Sequence, residues 1–166
     1  MENKLIASPS GRASSSFWFM NKIVNPMVRL ILCSPLHSLL SETLLLITYR
    51  GRQSGTEYSL PVQYVQSGHI IYLMPGIPEQ KTWWRNLKEA APVQLILRGQ
   101  TLAGNAIVLK PDTDSEAIQE GFGLYLRQFP ALIKYHHIRV EAGGSFNAEE
   151  LQQAAKQAVI IRVELS

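Results

Sequence analysis

Apolar positions along this chain follow strand periods through its middle and helical spacing at its two ends. Leu44-Leu45-Leu46-Ile47 is a continuous apolar run within residues 43–48, as expected for a strand buried on both faces. Tyr58, Leu60, Val62 and Tyr64 alternate with Ser59, Pro61 and Gln63, which predicts a strand over 57–65 with one apolar face. Ser67-Gly68 then turns the chain into Ile70-Ile71-Tyr72-Leu73-Met74, closed by Pro75-Gly76. A second hairpin joins 93–97 to 101–109 through Arg98-Gly99-Gln100, and 159–165 reads as the last strand. Six strands with short turns and α excursions between them predict a mainly β (α+β) fold, a closed or split antiparallel barrel.

The helical patterns lie outside this block. Asn25-Pro26 and Ser34-Pro35 each place a capping side chain before a proline suited to the first helical turn, predicting helices over 25–33 and 35–41. Asn147, with Glu150 three residues on, predicts a capping box opening a helix over 148–158. Residues 1–16 are rich in Ser and Gly and read as a disordered tail before a single domain at 17–166. Residues 17–40 are apolar, but Lys22, Asn25, Pro26, Arg29, Pro35 and His37 interrupt them. That leaves fewer than the ~20 apolar residues a membrane span needs. Phe17-Trp18-Phe19-Met20 has two readings: cover for a core edge, or contact with a membrane surface or lipid-like substrate.

With 166 residues, 46% of them hydrophobic and 17% charged, the chain falls in the globular class. Its net charge of +3 hides an asymmetry. Residues 1–100 carry 10 Lys+Arg against 5 Asp+Glu, and residues 101–166 carry 6 against 8. Positive charge therefore gathers in the first part, which favours an anionic ligand. It is too sparse for a nucleic-acid binder, which needs a dense basic stripe. The single cysteine, Cys33, excludes an internal disulfide and predicts a cytoplasmic protein. Its apolar surroundings predict a buried structural thiol.

Tyr49-Arg50-Gly51-Arg52-Gln53-Ser54-Gly55-Thr56-Glu57-Tyr58 lies between the first two strands. Two glycines permit positive φ, so successive N–H groups can converge on an anion, and two arginines add forked donors. The alternative is a solvated hairpin turn. Between the hairpins comes Glu79-Gln80-Lys81-Thr82-Trp83-Trp84-Arg85-Asn86-Leu87-Lys88. On a helix, Lys81, Trp84 and Lys88 share a face. The tryptophans read either as core plugs or as a pocket wall that stacks on a flat heterocycle, with cations holding an acidic tail at its rim.

In order and spacing, Asn25-Pro26, Ser34-Pro35-Leu36-His37, Tyr49-Arg50-Gly51-Arg52-Gln53-Ser54-Gly55, Leu60-Pro61-Val62 and Trp83-Trp84-Arg85-Asn86-Leu87 resemble the deazaflavin-dependent nitroreductase and quinone reductase family. The resemblance spans residues 20–110 and, more loosely, the final strand. It implies an FMN-binding-like split β-barrel that binds a reduced 8-hydroxy-5-deazaflavin and passes its hydride to a quinone or nitro compound. By the same resemblance Arg50, Gly51, Arg52, Gln53, Ser54 and Gly55 hold the cofactor's phosphate and glutamyl tail, with Lys81 and Trp84 at the rim. Pro61, Val62, Pro75 and Gly76 line the ring, and Trp83 and Asn86 close its far side. Tyr135 is the candidate proton donor to the acceptor, its alternative being a packing residue on a helix edge. Relatives of this barrel also bind FMN, heme or other tetrapyrroles, which stand as alternative cofactors, and split barrels commonly pair as homodimers.

The chain departs from the family pattern at Gln53, where lysine is common, and at Phe129-Pro130 and Leu132, where tyrosines are expected. Other chemistries find no constellation. His136 and His137 are adjacent, and His37 and His69 lie in other segments, so no metal-ligand spacing forms. No carboxylates pair for glycoside hydrolysis, and Ser54 lacks the Gly-x-Ser-x-Gly elbow.

Overall fold

The structure, a computed structural model, describes residues 25–166. The predicted tail at 1–16 and the aromatic segment Phe17-Trp18-Phe19-Met20 lie outside the described residues.

Helix α1 (Asn25–Leu32) and a 3-10 turn (Pro35–Leu39) precede the barrel. The Ser34 side chain caps that turn by accepting the Leu36 N–H, with Pro35 at its first position, as the local sequence predicts. Six strands follow: β1 (Leu44–Arg50), β2 (Glu57–Ser67), β3 (Ile70–Leu73), β4 (Ala91–Leu97), β5 (Gln100–Val108) and β6 (Ile161–Leu165). They close into an antiparallel barrel in the order β1-β2-β3-β6-β5-β4. β2 serves both neighbours in turn. Its first seven residues pair with β1, from Arg50↔Glu57 to Leu44↔Gln63, and its last four pair with β3, from Tyr64↔Leu73 to Ser67↔Ile70.

The interior is filled by one side of each strand, including Leu45, Ile47, Tyr49, Val62, Tyr64, Ile71, Leu73, Leu95 and Val163. Leu46, on the opposite face of β1, is buried as well, so the run Leu44–Ile47 is covered on both sides. A second core lies outside the barrel. There Val65 and Tyr72 meet Ile118, Phe122, Tyr125 and Leu126 of α2 (Ser115–Gln128) and Ala155 of α4 (Ala148–Gln157). The short α3 (Ala131–Tyr135) packs on α2. Helix α2 was not anticipated, although Ile118, Phe122, Tyr125 and Phe129 recur at the spacing of one helical face.

Three expectations are corrected. Cys33 is exposed, because it follows the end of α1 while the preceding Leu32 is the residue that is buried. The segment around Trp84 is a 3-10 helix (Thr82–Leu87) rather than an α-helix, so its cations are distributed differently from the predicted face. The capping box is half formed. Asn147 accepts the Glu150 N–H, but Glu150 turns its carboxylate to the Arg139 N–H and guanidinium at 2.7 and 2.6 Å. The Arg139 backbone N–H bond first, and then the guanidinium bond, hold the Glu150 carboxyl below its usual pKa.

Among the described residues, no helix is long and apolar enough to cross a membrane, and no three His, Cys, Asp or Glu side chains are placed to hold a metal ion.

Candidate functional site

The β1–β2 turn is tied together from within. Gly51 N–H donates to Thr56 C=O, Gly55 N–H to Gly51 C=O, both at 2.8 Å, and Thr56 N–H to Ser54 Oγ at 3.2 Å. Gly55 takes φ +65°, and Gly51 is crowded: a Cβ there would meet Ser54 Oγ at 2.7 Å and the Tyr58 ring at 2.9 Å. Glycine is therefore required at the two positions for different reasons, conformation at one and space at the other. The converging row of free N–H groups expected here does not form, because the turn's own carbonyls and Ser54 consume those donors. The N–H groups of Gln53 and Ser54 alone have no acceptor among the described residues.

The second segment docks on this turn. Arg52 N–H donates to Asn86 Oδ1 at 3.1 Å, while Asn86 Nδ2 donates to Trp83 C=O at 2.9 Å. Leu87, fully buried in the barrel core, anchors the 3-10 helix from below. Tyr58 stacks on Tyr49 at 5.8 Å, and Tyr49 tilts against Trp83 at 6.2 Å, forming an aromatic file across turn and helix. Burial, and then the neighbouring Tyr58, push the Tyr49 hydroxyl above its ordinary pKa. Trp84 is fixed by its Nε1–H donating to Pro78 C=O at 3.0 Å, and both Arg85 and Lys88 lie 5.7 Å from its ring centroid. Lys81 leaves that cluster and reaches Gly76, where a Cβ would stand 3.9 Å from its Nζ.

Arg50, Lys81, Arg85 and Lys88 are exposed and make no ion pair among the described residues. Arg52 is different, because its guanidinium is paired with Glu89 at 2.7 Å. Arg50 borders a groove. The β1–β4 ladder runs only from Leu46↔Ile96 to Thr48↔Gln94, and past its end lies a cavity of about 290 Å³ between Thr48, Tyr49, Arg50 and Glu57 on one side and Pro92 and Gln94 on the other.

The expected residues thus divide. The structure brings together Gly51, Arg52, Ser54, Gly55, Trp83 and Asn86, and separately Gly76 with Lys81. Pro61 and Val62 face opposite sides of β2: Val62 stands in the barrel core, and Pro61 lies opposite Leu46 on the outer side. Pro75 is buried and Gly76 exposed. Tyr135 ends α3 at 75% exposure, its ring edge-on to His136, without a described contact to the turn or the tryptophans. Tyr49, Tyr58 and Glu89 belong to the site and were missed. The two tyrosines flank the turn symmetrically in sequence, a readable signal; no sequence pattern marks Glu89, 37 residues from Arg52.

No family model matches the chain, and no curated protein matches it. Among solved structures it is similar to an F420-H2 dependent reductase, FDR-A, at 17% identity over 75% of this chain and 96% of that one, with a TM-score of 0.54. It is also similar to a structure described as a domain-swapped dimer, at 16% identity over 90% and 99% of the two chains, again with a TM-score of 0.54. These likenesses show the fold: a six-stranded split barrel with peripheral helices.

Proposed function

We propose that this protein is a deazaflavin-dependent reductase, passing a hydride from the reduced cofactor to an electron-poor acceptor such as a quinone or nitro compound. The observation that carries this reading is the bond from Arg52 N–H to Asn86 Oδ1. It joins the two motifs behind the family resemblance into one surface, bordered by cations that have no carboxylate partner among the described residues. The fold, shared with an F420-H2 dependent reductase, supports it.

The donor set fits such a group. Arg50, with the open N–H groups of Gln53 and Ser54, holds an anionic tail, while Glu89 neutralises Arg52. Gly76 lacks a side chain where Lys81 reaches across, so a flat ring can approach the backbone with an ammonium beside it. Pro75 backs that approach, and Trp83 and Asn86 close the other side. Trp84, held by Pro78 and flanked by Arg85 and Lys88, gives a stacking face with positive charge above it. When bound, a reduced deazaflavin supplies the hydride; the chain's part is to hold donor and acceptor close and dry, which needs no nucleophile. Tyr135, exposed on α3, donates the proton the acceptor takes up.

The proposal extends to a cytoplasmic homodimer touching the inner membrane face through Phe17-Trp18-Phe19. One fold neighbour is described as a domain-swapped dimer, and Met27, Leu30, Leu36 and Leu39, which come later in the chain, are exposed. The test titrates purified protein with reduced deazaflavin, FMN and heme in parallel, then adds menadione or a nitroaromatic and follows cofactor oxidation. Micromolar deazaflavin binding with oxidation above background supports the reading. Binding of heme or FMN alone makes the protein a binding module, and bound deazaflavin that neither acceptor oxidises ends the reductase assignment.

A further inference from the structure

Tyr125 of α2 is fully buried, and its hydroxyl sits where a strand hydrogen bond belongs. The β2–β3 ladder ends at Tyr64↔Leu73; one more antiparallel step would set Met74 opposite Gln63, with Met74 N–H bonded to Gln63 C=O. Instead Met74 N–H donates to Tyr125 Oη at 2.9 Å, and Tyr125 Oη donates to Gln63 C=O at 2.7 Å. The Tyr72 carbonyl lies 3.2 Å from the same oxygen. The hydroxyl therefore stands between two backbone groups that would otherwise pair, leaving neither without a partner at this part-buried strand exit. From that point the chain leaves the sheet as Met74-Pro75-Gly76, and Ile77 takes φ +55°. The other side of Tyr125 stacks on Phe129, 5.6 Å away, which leads into the helix carrying Tyr135.

We infer that Tyr125 is a positioning residue whose hydroxyl, wedged between Met74 N–H and Gln63 C=O, holds the Pro75-Gly76 wall away from β2 and in register with α3. The kinetic part of this inference rests on the proposed reductase reading. Removing the hydroxyl leaves Met74 and Gln63 free to pair directly, which draws Pro75 and Gly76 toward β2.

The test compares Tyr125→Phe with Tyr72→Phe. Tyr72 is a second tyrosine of low overall exposure, and its hydroxyl bonds Glu120 at 2.9 Å instead of the strand exit. The expectation for Tyr125→Phe is displaced Met74 and Gly76 amide resonances, and menadione turnover with reduced deazaflavin lower by about tenfold, the order of one lost hydrogen bond. Acceptor KM should change less than twofold. Tyr72→Phe should leave the Met74 and Gly76 resonances and kcat unchanged. Met74 and Gly76 resonances unmoved in Tyr125→Phe, or equal kcat losses in both variants, overturn the inference. Should Tyr125→Phe fail to fold, hydrogen exchange in the unaltered protein decides: Met74 N–H is expected to be protected like the β3 ladder amides, and rapid exchange there overturns the wedge. If the unaltered protein does not bind deazaflavin, the proposed function falls, and the wedge is judged on the amide data alone.

Discussion

Arg52 N–H donates to Asn86 Oδ1 at 3.1 Å across 34 residues of sequence, and this bond makes one site from a strand turn and a 3-10 helix. Asn86 is the pivot, because its amide nitrogen also holds Trp83 C=O. The side chain can satisfy both only in one orientation, oxygen toward the turn and nitrogen toward the helix.

Asn86→Ala removes both bonds and should cost about 1–2 kcal/mol of stability, read from urea unfolding. Asn86→Asp keeps the acceptor for Arg52 and loses the donor to Trp83. It should destabilise less than the alanine variant yet weaken deazaflavin more, because it adds a negative charge beside an anionic tail. Calorimetric titration of both variants checks the reversed order.

The two arginines of the turn should behave differently. Arg50 has no described carboxylate partner, so Arg50→Ala should weaken a tailed deazaflavin by about 1.5–3 kcal/mol and hardly affect a tail-less analogue. Glu89→Gln releases Arg52 and should strengthen tailed binding a few-fold. Because this ion pair is exposed, stability should change by less than ~1 kcal/mol. Weaker binding after Glu89→Gln would place the tail away from Arg52.

Glycine substitutions separate space from conformation. Gly55→Ala meets no atom within 4 Å but must adopt φ +65°, a cost of about 1 kcal/mol that asparagine largely avoids. Gly51→Ala must push Ser54 Oγ from 2.7 Å, breaking its bond to Thr56 N–H, and should cost about 1–3 kcal/mol. Thermal unfolding of Gly51→Ala, Gly55→Ala and Gly55→Asn should rank the losses in that order.

Alkaline stability should follow the buried phenols. Burial, then the hydrogen bond to Glu120, raises Tyr72 from 10.0 to about 12, and burial raises Tyr125 further. The folded chain therefore keeps protons that the unfolded chain releases above pH 10. Stability from these groups is complete below pH 10 and is lost as pH rises toward 12. Melting temperatures from pH 9 to 12 should fall, and the fall should be shallower in Tyr72→Phe.

Tyr135→Phe should leave stability within ~0.5 kcal/mol, since the ring is mostly exposed. If Tyr135 supplies the acceptor's proton, kcat for menadione should drop about tenfold or more. Turnover within a few-fold of the parent assigns the proton to solvent or another group.

The strands were legible because their signals are local. The run Leu44–Ile47, the alternation from Tyr58 to Tyr64 and the glycine turns each follow from strand geometry and φ preference acting within a few residues. The two motifs of the site were legible for the same reason, as short blocks of unusual composition. What those blocks do to each other was not. All the turn's N–H groups except those of Gln53 and Ser54 are taken up within the turn or by Asn86, and the Arg52 side chain is claimed by Glu89; the Asn86 and Glu89 pairings are set by three-dimensional approach between segments distant in sequence. Cys33 lies in an apolar run yet is exposed, because α1 ends at Leu32 and tertiary packing buries that residue and not the one after it. Tyr125 shows the same division. Its place on an apolar helix face is written in the spacing from Ile118 to Phe129, whereas its hydroxyl's place between Gln63 and Met74 exists only once barrel and helix have packed together.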